Sequence, residues 1–221
     1  MAHRSWPVSL ARRKDLPPVL VLRSVSPPPP QARSAMLWGD ASVARPVVRT
    51  AAAAVDCGVP VAIIDGATAF DVTTVAAYAQ ARRIPPERFL RQIHIARAFT
   101  CHQVATLLCE RLDLLLAPQR VGLVILLGPC TTFFDENVPF KDAFLLFRRV
   151  LVKLEALCKH GPLLLIAQAL DRHRTRRALF VRALIKVIEL GIRVSTVEGR
   201  RHVQLVKPRG SQAHDGDLPS M

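Results

Sequence analysis

Five short apolar runs set the first constraint on this chain. They read AMLW (35–38), VPVAIID (59–65), QIHIARA (92–98), VGLVILL (121–127) and PLLLIAQ (162–168), and segments of helical length separate them. Apolar runs of about four to eight residues are strand-sized, and strands that alternate with longer helical segments build a parallel sheet with crossover helices. The helices expected between the runs span residues 44–56, 72–83, 101–116 and 139–159. In the last of these, Phe140, Phe144, Phe147, Leu151, Leu154 and Cys158 recur at spacings of three and four, while Arg148, Arg149, Lys153 and Lys159 fall largely off that stripe. One face therefore packs on the sheet, and core packing is the simpler use of this Phe stripe than a cofactor or partner groove. A further helix over 174–190, ended by Gly191, leads into two strands, IRVSTV (192–197) and HVQLVK (202–207), around the turn EGRR. The expected class is α/β: a mainly parallel sheet flanked by helices, with a C-terminal β-hairpin.

The 221 residues, half of them apolar, suffice for one sizeable core and a tail. Residues 1–35 hold seven of the 17 prolines, including PPPP at 27–30, and six Arg/Lys against one Asp. Such a composition lacks the apolar surface that offsets ordering entropy, so this segment is expected to be a disordered tail, the core to run from 36 to 209, and 210–221 to be a second tail. The first segment is Arg-rich and acid-poor like a transit peptide but has no amphipathic period; a solvated tail, or a start codon placed too far upstream of Met36, is the simpler account. Five cysteines (Cys57, Cys101, Cys109, Cys130, Cys158) without CxxC spacing suggest neither a zinc site nor a disulfide framework, which fits a reducing cytoplasm. No apolar run reaches the roughly 18 residues of a membrane span, so no membrane partner is expected. A formal charge of +14 and a pI near 10.9 favour a polyanionic partner.

The most diagnostic stretch is RQIHIARAFTCHQVATLL, residues 91–108. With Ala96, Arg97, Ala98 and Phe99 ending a strand, and His102 and Gln103 opening the next helix, it resembles the core ATPase domain of the RecA family, in particular the archaeal RadA and eukaryotic recombinase branch. The order of the surrounding segments is similar over roughly 36–209: a loop GDASVARP (39–46), a strand ending IIDG with Phe70 beyond it, a strand VGLVILLG, a long helix, a strand ending in Gln168 and a terminal hairpin. The resemblance implies a RecA-like P-loop NTPase fold. It also implies a nucleotide site, at which each catalytic position departs from the pattern.

A phosphate-binding loop needs Gly, four free positions and then Gly-Lys-Ser/Thr, because backbone N–H groups cradle the phosphates, Lys reaches the outer ones and the hydroxyl holds Mg²⁺. The same register here gives Gly39, then Ala44, Arg45 and Pro46. Arg45 can pair with a phosphate, but Pro46 supplies neither a hydroxyl nor an N–H. Where the family places a Glu that activates water, two residues beyond an Asp, Asp65 is followed by Gly66 and Ala67; where it places a metal-supporting Asp, Leu127 or Gly128 stands. In-line phosphoryl transfer depends on all these groups, so the expectation is a pseudo-ATPase, not an enzyme, with Gly39, Ala44, Arg45 and Gln168 as a vestigial nucleotide site, no required cofactor, and weak ATP or ADP binding as its residual capacity. No metal site is expected. Asp135 and Glu136 in FFDENVPF are read as an N-terminal helix cap rather than as metal ligands, and Cys101–His102 as neighbours that point apart on a helix without a third orienting group.

What remains is charge. Beyond the fifth strand, where the resembled proteins carry their second DNA-contacting loop, the chain reads DRHRTRRALFVR, and residues 172–209 carry 11 Lys/Arg against two Glu. Arg172, Arg174, Arg176, Arg177 and Arg182 are the candidate contacts for single-stranded DNA, with few aromatic residues nearby for base stacking and hence little expected sequence preference. The resulting expectation is an accessory module in DNA recombination or repair that binds single-stranded DNA, a recombinase-like or other repair protein, or both. The alternatives are a nucleotide-holding regulator without hydrolysis and a structural subunit whose basic surface meets an acidic protein.

Overall fold

A computed structural model describes residues 32–170, 176–197 and 200–207. Seven strands form one sheet: β1 (Ser34–Gly39), β2 (Val61–Asp65), β3 (Ile93–Arg97), β4 (Leu123–Leu127), β5 (Leu163–Ala169), β6 (Leu190–Val197) and β7 (Arg200–Lys207). Their order across the sheet is β3-β2-β4-β5-β1-β6-β7. The first six are mutually parallel, and β7 returns antiparallel to β6 as the second arm of a hairpin.

Both faces of the sheet are covered, which explains why the strand sequences are apolar at successive positions rather than alternate ones. Met36, Trp38, Ala62, Ile64, Val124, Leu126, Leu164 and Ile166 point to one side and belong to one core cluster. The intervening Ala35, Leu37, Val61, Ile63, Leu123, Ile125 and Leu165 point to the other. Over the second face lies α1 (Ala44–Asp56), whose run Ala51–Ala54 is wholly buried, so that small side chains let the helix lie close to the sheet. Beside it are α2 (Val72–Ala81) and the short α3 (Pro86–Leu90). The first face carries α4 (Cys101–Thr106), a π-helical turn (Leu107–Arg111), α5 (Leu112–Gln119), α6 (Phe140–His160) and α7 (Ala178–Val187).

Several expected boundaries move. The core begins before Met36, because Ser34 and Ala35 already pair with Leu164 and Leu165 in β5. The helix expected over 72–83 stops at Ala81, and Pro86 starts α3 at the position where a missing N–H costs nothing. The helix expected over 101–116 runs on to Gln119 through the π turn. The helix expected over 174–190 begins at Ala178 and stops at Val187; Gly191 does not end it but lies inside β6, paired with Met36 of β1. On α6 the buried line is Ala143, Phe147, Val150, Leu154, Leu157 and Cys158, while Phe144 is 38 % exposed and Phe140 and Leu151 are half-buried. The expected stripe was thus displaced towards its neighbours, since the small Ala143 fits closest to the sheet.

Candidate functional site

In a parallel α/β sheet, ligands bind in the crevice beyond the C-terminal ends of the strands. The loop GDASVARP lies at that end, after the central strand β1. Gly39 has φ +147°, and a Cβ built on it would stand 1.7 Å from the carbonyl oxygen of Val194 in β6. Close approach of two strands thus accounts for the glycine. Asp40 comes next and caps a 3-10 turn, Ala41–Val43: its Oδ1 accepts the Ser42 N–H at 2.9 Å and its backbone oxygen accepts the Val43 N–H at 3.2 Å. The turn runs directly into α1 at Ala44. Arg45 is exposed on the first turn of that helix, and Pro46 follows it. Two of the loop N–H groups, those of Ser42 and Val43, are therefore engaged by Asp40, whose carboxylate stands at a helix N-terminus, the place a bound anion would take. Ser42 first, and after it Thr196, hold the Asp40 carboxyl below its ordinary range.

Asp65 ends β2 and is fully buried. Its carboxylate accepts the N–H groups of Ala67 (3.3 Å), Ala69 (3.0 Å) and Phe70 (3.0 Å), and Nε of Arg97 lies 3.5 Å from it. It thereby holds the turn DGATAF rather than facing a crevice. At the end of β4, Leu127 is buried and Gly128 has φ +59°; a Cβ at Gly128 would stand 2.3 Å from the Ala67 Cβ. Gln168, at the end of β5, is fully buried and its amide works at both ends: Oε1 accepts the Cys130 N–H at 2.9 Å, and Nε2 donates to the Ala169 carbonyl at 2.8 Å and to Thr131 Oγ1 at 3.3 Å. Backbone bonds complete the closure, from Gly66 N to Leu127 O, Gly128 N to Ala167 O, and Leu170 N to Gly39 O. The turns after β1, β2, β4 and β5 thus bond to one another.

The diagnostic stretch also has a structural use. Thr100 Oγ1 accepts the Gln103 N–H at 3.2 Å while Gln103 Oε1 accepts the Phe99 N–H at 2.7 Å, a reciprocal capping box that starts α4. Cys101 and His102 do approach, with Sγ 3.6 Å from Nδ1, contrary to the expectation that they point apart. The contact does not make a nucleophile, because burial pushes the Cys101 thiol up, away from the thiolate. Asp135 does not cap α6, either. It accepts the backbone N–H and the side-chain Nδ2–H of Asn137, both at 3.0 Å, in a turn of its own, and Pro139 precedes α6 without a side-chain cap. Among the described residues, no three His, Cys, Asp or Glu side chains gather as metal ligands.

Of the five candidate DNA contacts, Arg172 and Arg174 lie outside the described residues. Arg176 is exposed, with its guanidinium carbon 4.2 Å from the centre of the Phe140 ring. Arg177, its neighbour, is 8 % exposed and donates Nη1–H to the Phe133 carbonyl at 2.8 Å and Nη2–H to the Val138 carbonyl. It ties the start of α7 to the turn before α6, beside a cluster in which Phe133, Phe147 and Phe180 meet with ring centres 4.7–5.7 Å apart. Arg182 is half-buried on α7. Sequence reasoning overlooked Asp40, although Asp followed two residues later by Ser is a recognisable turn signal. It also overlooked the edge of the sheet: among the described residues β3 pairs on one side only, and Ile95 within it and Phe99 just after it are 41 % and 69 % exposed.

The chain matches no known family and no curated protein.

Proposed function

We propose that this protein is a catalytically inactive, RecA-like accessory module of DNA recombination or repair that binds single-stranded DNA, a recombinase-like partner, or both. Asp40 carries the reading. A carboxylate held charged at the head of α1, accepting the loop's own N–H, repels the phosphates that the equivalent loop of an ATPase would bind, and Arg45 alone offers one cation without a hydroxyl or a second carboxylate for Mg²⁺. Asp65 and Gln168, the polar groups at the ends of neighbouring strands, are bonded internally and have no part left for water activation or γ-phosphate sensing.

The free edge of β3 supports the partner half of this reading. An unpaired strand presents a row of N–H and C=O groups to an incoming extended peptide, and exposed Ile95 and Phe99 give that peptide apolar contacts. Arg176, exposed and lying over the Phe140 ring, supports the DNA half, since a guanidinium held over a ring at the surface is positioned for a phosphate or a base.

The test is a pair of titrations on the full chain. ATP and ADP, with and without Mg²⁺, should give no saturable binding at millimolar concentration and no hydrolysis above background. A mixed-sequence single-stranded oligonucleotide should bind with an affinity that falls as salt rises, by about 0.7 logarithmic units per tenfold salt for each phosphate neutralised. Saturable Mg²⁺-dependent ATP binding would overturn the inactive reading, and salt-independent or absent oligonucleotide binding would leave the β3 edge and a protein partner as its content.

A further inference from the structure

The end of the sheet opposite the sealed loops carries a different chemistry. Because β1 to β6 are parallel, the helix C-termini and the turns that lead into each strand converge on one rim. The helix ends and turns before β2, β3, β4 and β5 (residues 56–60, 82–92 with α3 among them, 117–122 and 159–162) hold six Lys/Arg against two acids. Asp56, one of the acids, is already neutralised by Arg82 at 3.0 Å. Arg83, Arg88, Arg91, Arg120 and Lys159 are exposed, and none of them enters an ion pair among the described residues. The turns are contiguous: Arg88 and Gln92 from one border a shallow pocket with Asp56 and Gly58 from the next.

Two of these side chains sit where folding alone would not place them. Only three described non-glycine residues have positive φ, and two are Arg83 (φ +57°) and Arg120 (φ +49°), each in the turn that closes a helix on this rim. Glycine or asparagine is the ordinary choice there, because a Cβ in the left-handed region is strained. A cation near a helix C-terminus does gain from the helix dipole, but Lys or Arg at an unstrained position of the last turn would supply that equally well. The arginine side chain is what the strain retains.

We infer that this rim binds duplex DNA through its phosphate backbone. The loops before β3, β2, β4 and β5 cover three interstrand steps, about 14 Å at about 4.8 Å each, a length of duplex that carries about eight phosphates. Of the described aromatic rings here, Phe89 lies within the rim but is buried, and Tyr78 beside it is half-buried and already paired with Arg82, so the rim offers no shelf on which an unstacked base could rest. Backbone contact without stacking suits a duplex, whose bases are already stacked, better than a single strand. The inference is independent of the single-strand reading, which concerns the opposite end of the sheet.

The experiment measures binding of the full chain to a short blunt duplex by fluorescence anisotropy between about 50 and 200 mM salt. The triple variant Arg83→Gly, Arg88→Ala, Arg120→Gly should bind at least about tenfold more weakly at the low-salt end, with a log–log salt slope shallower by up to about 2.7, at about 0.9 for each lost phosphate contact. Its Tm should be unchanged or higher, since glycine relieves both strained turns, so a folding defect cannot produce the loss. The double variant Arg91→Glu, Lys159→Glu, which leaves those turns alone, should weaken binding as well. Arg49→Ala, Lys141→Ala, Arg148→Ala removes the same charge from exposed positions away from the rim and should retain most of the affinity. Parent protein that binds no duplex at low salt, equal losses in the two triple variants, or undiminished binding in the rim triple each overturn the inference. Single-stranded oligonucleotide measured in parallel separates the two readings, because Arg176→Ala should affect that probe and not the duplex.

Discussion

At the C-terminal end of the sheet, Asp40, Asp65 and Gln168 direct their oxygens at the chain's own N–H groups, whereas at the N-terminal end Arg83, Arg88, Arg91, Arg120 and Lys159 direct their charge at solvent. The usual geometry of an α/β domain is the reverse: polar groups at the C-terminal ends stay available for a ligand, and the opposite end contributes stability. A buried polar group can serve a ligand only if the fold does not already use its bonds, and here Asp65 and Gln168 have theirs in use. An exposed cation costs the fold little and stays available. Function in this molecule is therefore expected at the surfaces, the free edge of β3 and the basic rim, while the crevice has become part of the framework.

The sharpest way to break that comparison is Asp65→Ala. The change leaves the N–H groups of Ala67, Ala69 and Phe70 without their acceptor and Arg97 without its partner. Because Asp65 is fully buried, the loss in unfolding free energy by urea denaturation should be about 3–5 kcal/mol, a large part of the 5–15 kcal/mol typical of a domain. The Arg97 side chain is 44 % exposed, so most of the loss comes from the three N–H groups rather than the ion pair. An acid kept for a ligand behaves oppositely, since removing an unsatisfied buried charge stabilises; a neutral or positive result would mean that the crevice is not closed.

The next effect separates two adjacent arginines. Arg177→Ala removes the donors to Phe133 O and Val138 O and unties α7 from the turn before α6, which should cost about 2–3 kcal/mol by the same measurement. Arg176→Ala removes only an exposed stacking contact on Phe140 and should cost under about 1 kcal/mol. Single-stranded DNA affinity should follow the opposite order, falling for Arg176→Ala and changing little for a well-folded Arg177→Lys protein. If both arginines affect DNA equally, the buried one is not fixed as described.

These pairs also mark what the sequence could reveal. Strands buried on both faces are apolar at nearly every position, so the cores of β1, β2, β4 and β5 were legible without any knowledge of the fold. The start of α3 was legible in principle from the consecutive prolines at 85 and 86, and the π turn at Leu107–Arg111 was not, because no residue type in LLCER marks a change from α-helical to π-helical bonding. A charge count cannot separate Arg176 from Arg177, since consecutive residues point apart and the carbonyls that fix one of them come from a distant turn. The rim, by contrast, follows from alternation alone: once strands are parallel, the C-terminus of every crossover helix and every turn leading into a parallel strand lies at one end, and the cations there can be summed from the sequence. The inward use of Asp65 and Gln168 needed coordinates, because nothing in a strand-ending acid or amide says which N–H it meets.

The smallest expected effect tests Asp40. Its carboxyl is held below the ordinary value of 3.8, first by Ser42, so its folded value is lower than its unfolded one. A group depressed in this way stabilises the fold above its unfolded value and loses that contribution as pH falls through the folded one; the window therefore lies below about pH 4. Asp71, whose carboxyl is lowered by Thr73 and Thr74, titrates in the same window, so the wild-type curve alone does not isolate Asp40. Comparing the urea midpoint of the parent with that of Asp40→Asn between about pH 5 and pH 3 does: the parent should lose slightly more stability on acidification, by a fraction of a pH-dependent step that solvent screening keeps small. The same variant keeps an oxygen to accept the Ser42 N–H while removing the charge. If the charge of Asp40 is what excludes phosphate from the loop, ATP affinity of Asp40→Asn at neutral pH should rise from undetectable to weak, without hydrolysis, because no Mg²⁺-binding hydroxyl is restored beside Arg45. Parallel acid curves would show that the Asp40 carboxyl gains nothing from the turn, and unchanged ATP exclusion would place the barrier in the closed backbone of the loop rather than in its charge.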